Sequence, residues 1–371
     1  MRRPLALAFA LLLTACTGAP GGTAPTATPA ASVDIKQSLM DIAYVALADQ
    51  DVHKVSSKKL LVAALDALKE RARSSGGKDD VATPEFKDEA DVILPDFNRF
   101  AEAAKELARK NPQLSAANIA EVAITAMMRA TPDCHTYWVT PSGVVRSRPE
   151  QTRGTPAMAP ANATAPDEAG LRYALIDGSI GYLTWREFAA HGTYSITNAV
   201  KKGLDTLLAQ GAKAWLFDLR ANAGGDPPQA MTSWFLNGEP TMRIEVRTGQ
   251  AGTQTAKKEL RLPDEYQLPV AVVVNDRGGS SPEVFTLGLK ENKRAVIVGS
   301  KTIGCLGATS PTPLPDKSQI FVTSQEFVGA VTGTRYNNVG IPPDVPADDA
   351  SAVAVASGIL KDLIAKGKLY P

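Results

Sequence analysis

Neither sign of charge prevails in this chain. Forty lysines and arginines stand against 39 aspartates and glutamates over 371 residues. Such a balance leaves no basic excess for a phosphate backbone, so no nucleic-acid partner is implied. Cysteine and histidine are scarce, three of each, and no metal or cofactor is expected. His53 falls in a polar linker between helical runs, His191 in a loop after WREFAA, and His135 in PDCHTYWV. Composition alone does not choose among them.

The opening residues also lack an apolar run long enough to cross a bilayer as a helix. MRRPLALAFALLLTAC places two arginines before roughly ten apolar residues and then Leu13, Thr14, Ala15 and Cys16. This is the pattern of a bacterial lipoprotein signal, residues 1–16, in which Cys16 carries lipid and becomes the mature N-terminus. Residues 17–32, TGAPGGTAPTATPAAS, have no charge and little to bury, and are expected to form a flexible linker. The expected product is exported and lipid-anchored to a bacterial membrane, facing the periplasm or the cell exterior. Loss of Arg2 and Arg3 brings its net charge to about −1. Its remaining cysteines, Cys134 and Cys305, are far apart in a compartment that permits pairing.

Residues 33–140 read as a helical subdomain. In SLMDIAYVALAD, KKLLVAALDALKERA, FNRFAEAAKELARK and AANIAEVAITAMMRA the apolar residues recur at three and four. Residues 141–170, rich in Pro, Ala, Thr and Arg without periodicity, read as a long loop or disordered insert. From Leu171 to the end, 171–371, short apolar runs such as AKAWLFDLR, LPVAVVVN and AVIVG alternate with helical segments. That alternation predicts an α/β core with a largely parallel sheet, and continuous runs such as VAVVV predict strands covered on both faces. In such sheets chemistry gathers where strand ends meet helix N-termini.

Two strand ends stand out. FDLRANAGGDPP ends in Gly224 and Gly225, a pair that lets backbone N–H groups face one anion together. It lacks the lysine and spacing of a phosphate loop. VAVVVNDRGGSSPEVF puts Ser280 or Ser281 at the N-cap of a helix that Pro282 and Glu283 open. Serine is a favoured cap and needs no function there. A sharp strand-to-helix turn is also how a hydrolase presents a nucleophile.

GYLTWREF, WLFDLRANAGG, VAVVVNDRGGSSPEVF, RAVIVGSKTIG, LPDKSQIFVT and VGIPPDV follow in the order and spacing of the C-terminal processing (tail-specific) peptidases, the family of the tricorn core protease. The chain resembles that family over about residues 171–347. The resemblance implies a ClpP/crotonase-like α/β spiral and peptide-bond hydrolysis by serine, with a polypeptide as substrate. It places the nucleophile at Ser280, three residues before Glu283. Backbone amides of Ser281 and of the Gly224/Gly225 turn would form the oxyanion hole. The family's T-x-G-K lysine is replaced by Cys305 in Thr302-Ile303-Gly304-Cys305, which rules out a Ser/Lys dyad unless Lys301 reaches in. Asp133-Cys134-His135-Thr136 matches the D-x-H-T/S segment of tricorn-like members, so His135 is the implied base. Where those enzymes carry a glutamate before the terminal G-I-x-P-D segment, Asn337 and Asn338 stand here as orienting residues. The family's lysine position and the DCHT segment both converge on the nucleophile, so a Cys134–Cys305 disulfide is implied beside it. The 141–170 loop occupies the interval where relatives carry a PDZ domain. The alternative is a catalytically inactive member that binds a peptide or an apolar ligand, as the retinoid-binding proteins that resemble this family do.

Overall fold

Leucine and alanine spaced at three and four wind the first stretch into α1 (Gln37–Gln50), α2 (Ser57–Ser74), α3 (Leu94–Lys110) and α4 (Ala116–Ala130). Ser56 and Ser115 cap α2 and α4, their hydroxyls accepting from Lys59 and Asn118 N–H at 3.2 Å, and Pro95 sits in the first turn of α3. Leu60, Leu65, Phe97, Phe100, Ile124 and Met127 are buried between the helices. The computed structural model describes residues 33–89, 92–146 and 155–371. The expected signal and linker, with Cys16, lie outside these residues, and Asp34–Pro371 form one compact unit.

After α4 come β1 (Tyr137–Val139), β2 (Val145–Arg146), β3 (Arg172–Ile176), β4 (Ile180–Thr184) and a small hairpin, β5 (Ala190–His191) with β6 (Tyr194–Ser195). The chain continues through α5 (Ile196–Ala209), β7 (Ala214–Asp218), α6 (Gln229–Ser233), β8 (Pro240–Val246) and β9 (Gly249–Thr255). The remainder is β10 (Val270–Val274), α7 (Ser281–Glu291), β11 (Val296–Gly299), β12 (Gly307–Pro313), β13 (Gln319–Val328), β14 (Val345–Pro346) and α8 (Ala352–Lys366).

The fold is mixed α/β. One sheet has the order β14-β11-β10-β7-β4-β3, parallel except for β3 at its edge. Period-two alternation fills both faces. Trp215, Phe217, Val270, Val272 and Val274 pack with Leu204, Phe235 and Phe285 on one side. Ala214, Leu216, Ala271 and Val273 meet Ala352, Ala356, Leu360 and Leu363 of α8 on the other. The second sheet, β2-β1-β13-β8-β9 with β12 also on β13, is antiparallel. It stands beside the largely parallel sheet that the apolar runs announce. Its members β9 (GQAGTQT) and β12 (GATSPTP) carry no apolar alternation, and their pairing with β8 and β13 makes them strands.

β13 ties the helices to the core. Val52, just past α1, donates its N–H to the Thr323 carbonyl at 2.9 Å, and β1 pairs along β13 with Tyr137 opposite Phe321. Residues 155–170 of the long loop are packed: Ala169 is buried, Thr164 N–H donates to the Tyr173 carbonyl at 3.0 Å, and Asn275 donates to the Thr155 carbonyl at 2.8 Å. Among the described residues no helix is long and apolar enough to cross a membrane.

Candidate active site

β7 and β10 are parallel neighbours with Val273 opposite Asp218, so the turns that leave their carboxyl ends lie side by side. Gly279 N–H donates to the Asn222 carbonyl at 3.2 Å, and Ala221 N–H donates to Asn275 Oδ1 at 3.2 Å. The two turns thereby hold each other. Only glycine fits where they are tightest. A Cβ at Gly224 would stand 2.7 Å from Ser280 Cβ and 3.1 Å from its Oγ, and one at Gly225 would stand 2.1 Å from the Phe188 carbonyl oxygen. Both glycines have positive φ.

Ser280 caps α7 with φ 70° and ψ −120°, a backbone that an L-residue adopts only when its surroundings impose it. Glu283 supplies much of that imposition. Fully buried, it accepts from Ser280 N–H at 3.0 Å, Gly304 N–H at 2.8 Å, Cys305 N–H at 2.7 Å and the Thr302 hydroxyl. Burial pushes its carboxyl up, and the four donors work against that shift. One side chain therefore fixes the serine turn and the 302–305 turn together.

The 302–305 turn reaches the helical side through a Cys134–Cys305 disulfide, with Cα atoms 5.9 Å apart. His135 follows Cys134, and its Nδ1 lies 3.7 Å from Cys134 Sγ and 4.0 Å from Asp133 Oδ1. Asp133 is fully buried and organises the segment. It accepts from His135 N–H at 2.6 Å, the Thr323 hydroxyl at 2.5 Å, Asn337 Nδ2 at 2.9 Å and the His53 ring at 3.2 Å. Burial tends to raise its pKa, but these hydrogen bonds outweigh it and hold the carboxyl well below the usual range. Burial also opposes charge on His53, yet the Asp133 hydrogen bond and the charges of Asp51, Asp133 and Glu326 hold its pKa above the ordinary 6.5. Burial pushes Asp51, which accepts His53 N–H at 2.7 Å, up to about 6.

A cavity of about 300 Å³ is lined by Ser280, His135, Cys134, Cys305, Gly279 and Arg277 among others. It brings together residues from the helical side and from the sheet. Lys301 is exposed and does not line it. Asn337 is buried, but the partners it reaches are Asp133, His53 and, through Oδ1, Leu306 N–H at 2.8 Å. Asn338 is exposed in a left-handed turn at φ 61°, donating its N–H to the Gly304 carbonyl at 2.8 Å, and its role there is in the backbone. Gly224 N–H is engaged by Asn222 Oδ1 at 3.0 Å. Of the amides singled out for an oxyanion, those of Gly225 and Ser281 make no hydrogen bond among the described residues. His191 is exposed beside Glu168 on the far hairpin. His53 is the residue that sequence reasoning passed over: nothing in the local run marks it, because its partner Asp133 lies 80 residues on.

Residues 179–347 match the family model described as Peptidase family S41. The carboxy-terminal processing protease CtpA of Bacillus subtilis is 29% identical over 175 residues, 46% of this chain and 36% of that protein. The carboxy-terminal-processing protease of Bartonella bacilliformis is 26% identical over 174 residues, 46% of this chain and 39% of its own. The chain thus spans under half the length of these relatives. A crystal structure of a candidate peptidase from Parabacteroides merdae shares the fold, with a TM-score of 0.56 at 17% identity over 82% of this chain and 97% of that one.

Proposed function

From the S41 peptidase match over residues 179–347, we propose that the protein is a serine-type endopeptidase of cell-envelope polypeptides, with Ser280 as nucleophile and His135 as general base. The observation that carries this is the shared cavity: Ser280 and His135, distant in sequence, line one space of about 300 Å³. The core is then a ClpP/crotonase-like spiral, 171–371, joined to a helical subdomain, 33–140, through the loop 141–170 in place of a PDZ domain. An N-terminal lipid on Cys16, after removal of 1–16, holds it to a membrane through the 17–32 linker.

Proton transfer starts the reaction. His135 Nδ1 lies on the side of Cys134 and Asp133, and Nε2 takes the Ser280 hydroxyl proton as Oγ attacks the carbonyl carbon. The amides of Gly225 and Ser281 hold the oxyanion. As the tetrahedral intermediate collapses, the C–N bond breaks and the imidazolium returns its proton to the leaving amine. Water, deprotonated by the same ring, then releases the acyl group from Ser280. The Asp133 carboxylate, ionised and 4.0 Å from Nδ1, supports the imidazolium electrostatically in place of the missing glutamate, and Asn337 keeps Asp133 in position.

Hydrolysis of an unstructured polypeptide by purified protein tests this. Ser280→Ala and His135→Ala should each lower kcat/KM by at least about 10³-fold, while Lys301→Ala retains wild-type turnover. Equal damage from Lys301→Ala and His135→Ala would overturn the base assignment. A stable wild-type protein that hydrolyses nothing would favour the binding reading.

A further inference from the structure

His53 does not line the cavity that holds Ser280 and His135, yet one carboxylate separates it from His135. It follows the end of α1, and its half-buried ring closes a triangle with groups from two other segments. His53 Nε2 stands 3.2 Å from Asp133 Oδ2 and 3.1 Å from Asn337 Nδ2, and Asn337 Nδ2 stands 2.9 Å from the same Oδ2. Three atoms at these distances allow two hydrogen-bond arrangements. With Nε2 protonated, the ring and the Asn337 amide both donate to Oδ2. With Nε2 bare, the ring accepts the second amide hydrogen of Asn337, and Oδ2 keeps one of its two donors. The other oxygen of this carboxylate faces His135: Oδ1 accepts His135 N–H at 2.6 Å and lies 4.0 Å from His135 Nδ1. Two imidazoles thus share one fully buried carboxylate, one on each oxygen.

We propose that His53 is a positioning residue for His135, setting through Asp133 how much negative charge the general base receives. The word base rests on the peptidase reading, whereas the coupling between the two rings does not depend on turnover. Protonated His53 offsets the Asp133 charge. The His135 imidazolium is then held less firmly, and the ring is neutral and ready to accept a proton at lower pH. Once His53 loses its proton, the whole carboxylate charge acts on His135, which then binds its own proton more tightly. Further acids face His53, Asp51 in its own turn and Glu326 on β13, and both favour the charged ring. Arg335 donates to Glu326, and Arg247 donates to the Asp51 carbonyl at 3.2 Å, which limits that effect. A charged His53 therefore extends the working range of His135 toward acid.

The chain has three histidines, so each imidazole can be titrated separately by NMR in ring-labelled protein, with exposed His191 as the reference outside the cluster. The proposal expects the His135 ring to titrate about 0.5–1 unit higher in His53→Gln, whose side-chain amide donates to Asp133 without a charge. It also expects His53 to titrate higher by the same amount in His135→Gln, because coupling between two sites is reciprocal. That second arm stands even where His53→Gln fails to fold, and a merely structural His53 would produce neither shift. A His135 ring that titrates at one pH in wild type and in His53→Gln, or a His53 ring unmoved by His135→Gln, would overturn the proposal. Hydrolysis is read in parallel. The acid limb of kcat/KM should move up by the same 0.5–1 unit in His53→Gln, an additional loss of about 3–10-fold at pH values below the limb. Reciprocal coupling of the rings in a protein that hydrolyses nothing would contradict the peptidase reading and leave the shared carboxylate standing. Hydrolysis whose limb stays in place in His53→Gln would overturn the proposal and leave the peptidase reading intact.

Discussion

At the scale of single residues, the Ser280 backbone is held by the buried side chain of Glu283. Glu283 accepts from four donors on two turns. Glu283→Ala would strand those donors in a buried site at about 1–3 kcal/mol each where water does not replace the acceptor, so unfolding in urea should show a loss of at least about 3 kcal/mol; a loss under 1 kcal/mol would contradict this role. His53 gives a pH-dependent counterpart. Its folded pKa is raised, so the charged ring stabilises the fold fully below its unfolded value of about 6.5, and that contribution is lost as pH rises through the folded pKa. His53→Gln should therefore cost about 1.5–3 kcal/mol at pH 5.5, with the gap to wild type narrowing toward pH 9. A gap that is flat across that range would show that the ring acts without its charge. While Asp133 appeared in the sequence only as one letter of the DCHT match and its role comes from the hydrogen bonds it gathers, Ser280 and His135 stood out there because motifs surround them. His53 did not, since a histidine that works through a partner 80 residues away leaves no local trace.

Elements differ in how plainly the sequence announces them, and burial explains why. β10 is apolar throughout, and β7 is apolar up to its terminal Asp218, because α8 covers one face and α5 and α7 lie on the other. β9 and β12 are polar and become strands only by pairing with β8 and β13, so no periodicity reveals them. The helices α1 to α4 were legible from their spacing, whereas nothing local says that β1 would lie along β13 and bring DCHT to the serine turn. The Cys134–Cys305 bridge spans 171 residues between that segment and the 302–305 turn. Chain-entropy arguments give about 3–5 kcal/mol for such a link. Cys134→Ala/Cys305→Ala should lower the midpoint of thermal unfolding and reduce kcat more than it raises KM, because the base loses its tether while the substrate cavity remains. Unchanged kcat in the double variant would show that β1 pairing alone positions His135.

For the whole molecule, the segments that follow α4, β7, β10 and β11 each contribute one piece of the cavity, and none holds it alone. The N-terminal lipid reading adds a location to that assembly. Expressed full length, the protein should partition with membranes and enter the detergent phase, while Cys16→Ala should appear in the aqueous fraction; a Cys16→Ala protein that stays in the membrane would contradict lipid anchoring at that residue. The central claim is that Ser280 is a nucleophile activated by His135. Treating the folded protein with a fluorophosphonate and mapping the adduct by peptide mass spectrometry tests it most directly. The account predicts a single adduct on Ser280, absent in Ser280→Ala and at least about 10³-fold slower to form in His135→Ala. No adduct on a folded wild-type protein, or an adduct on Ser281 or another residue, would contradict it.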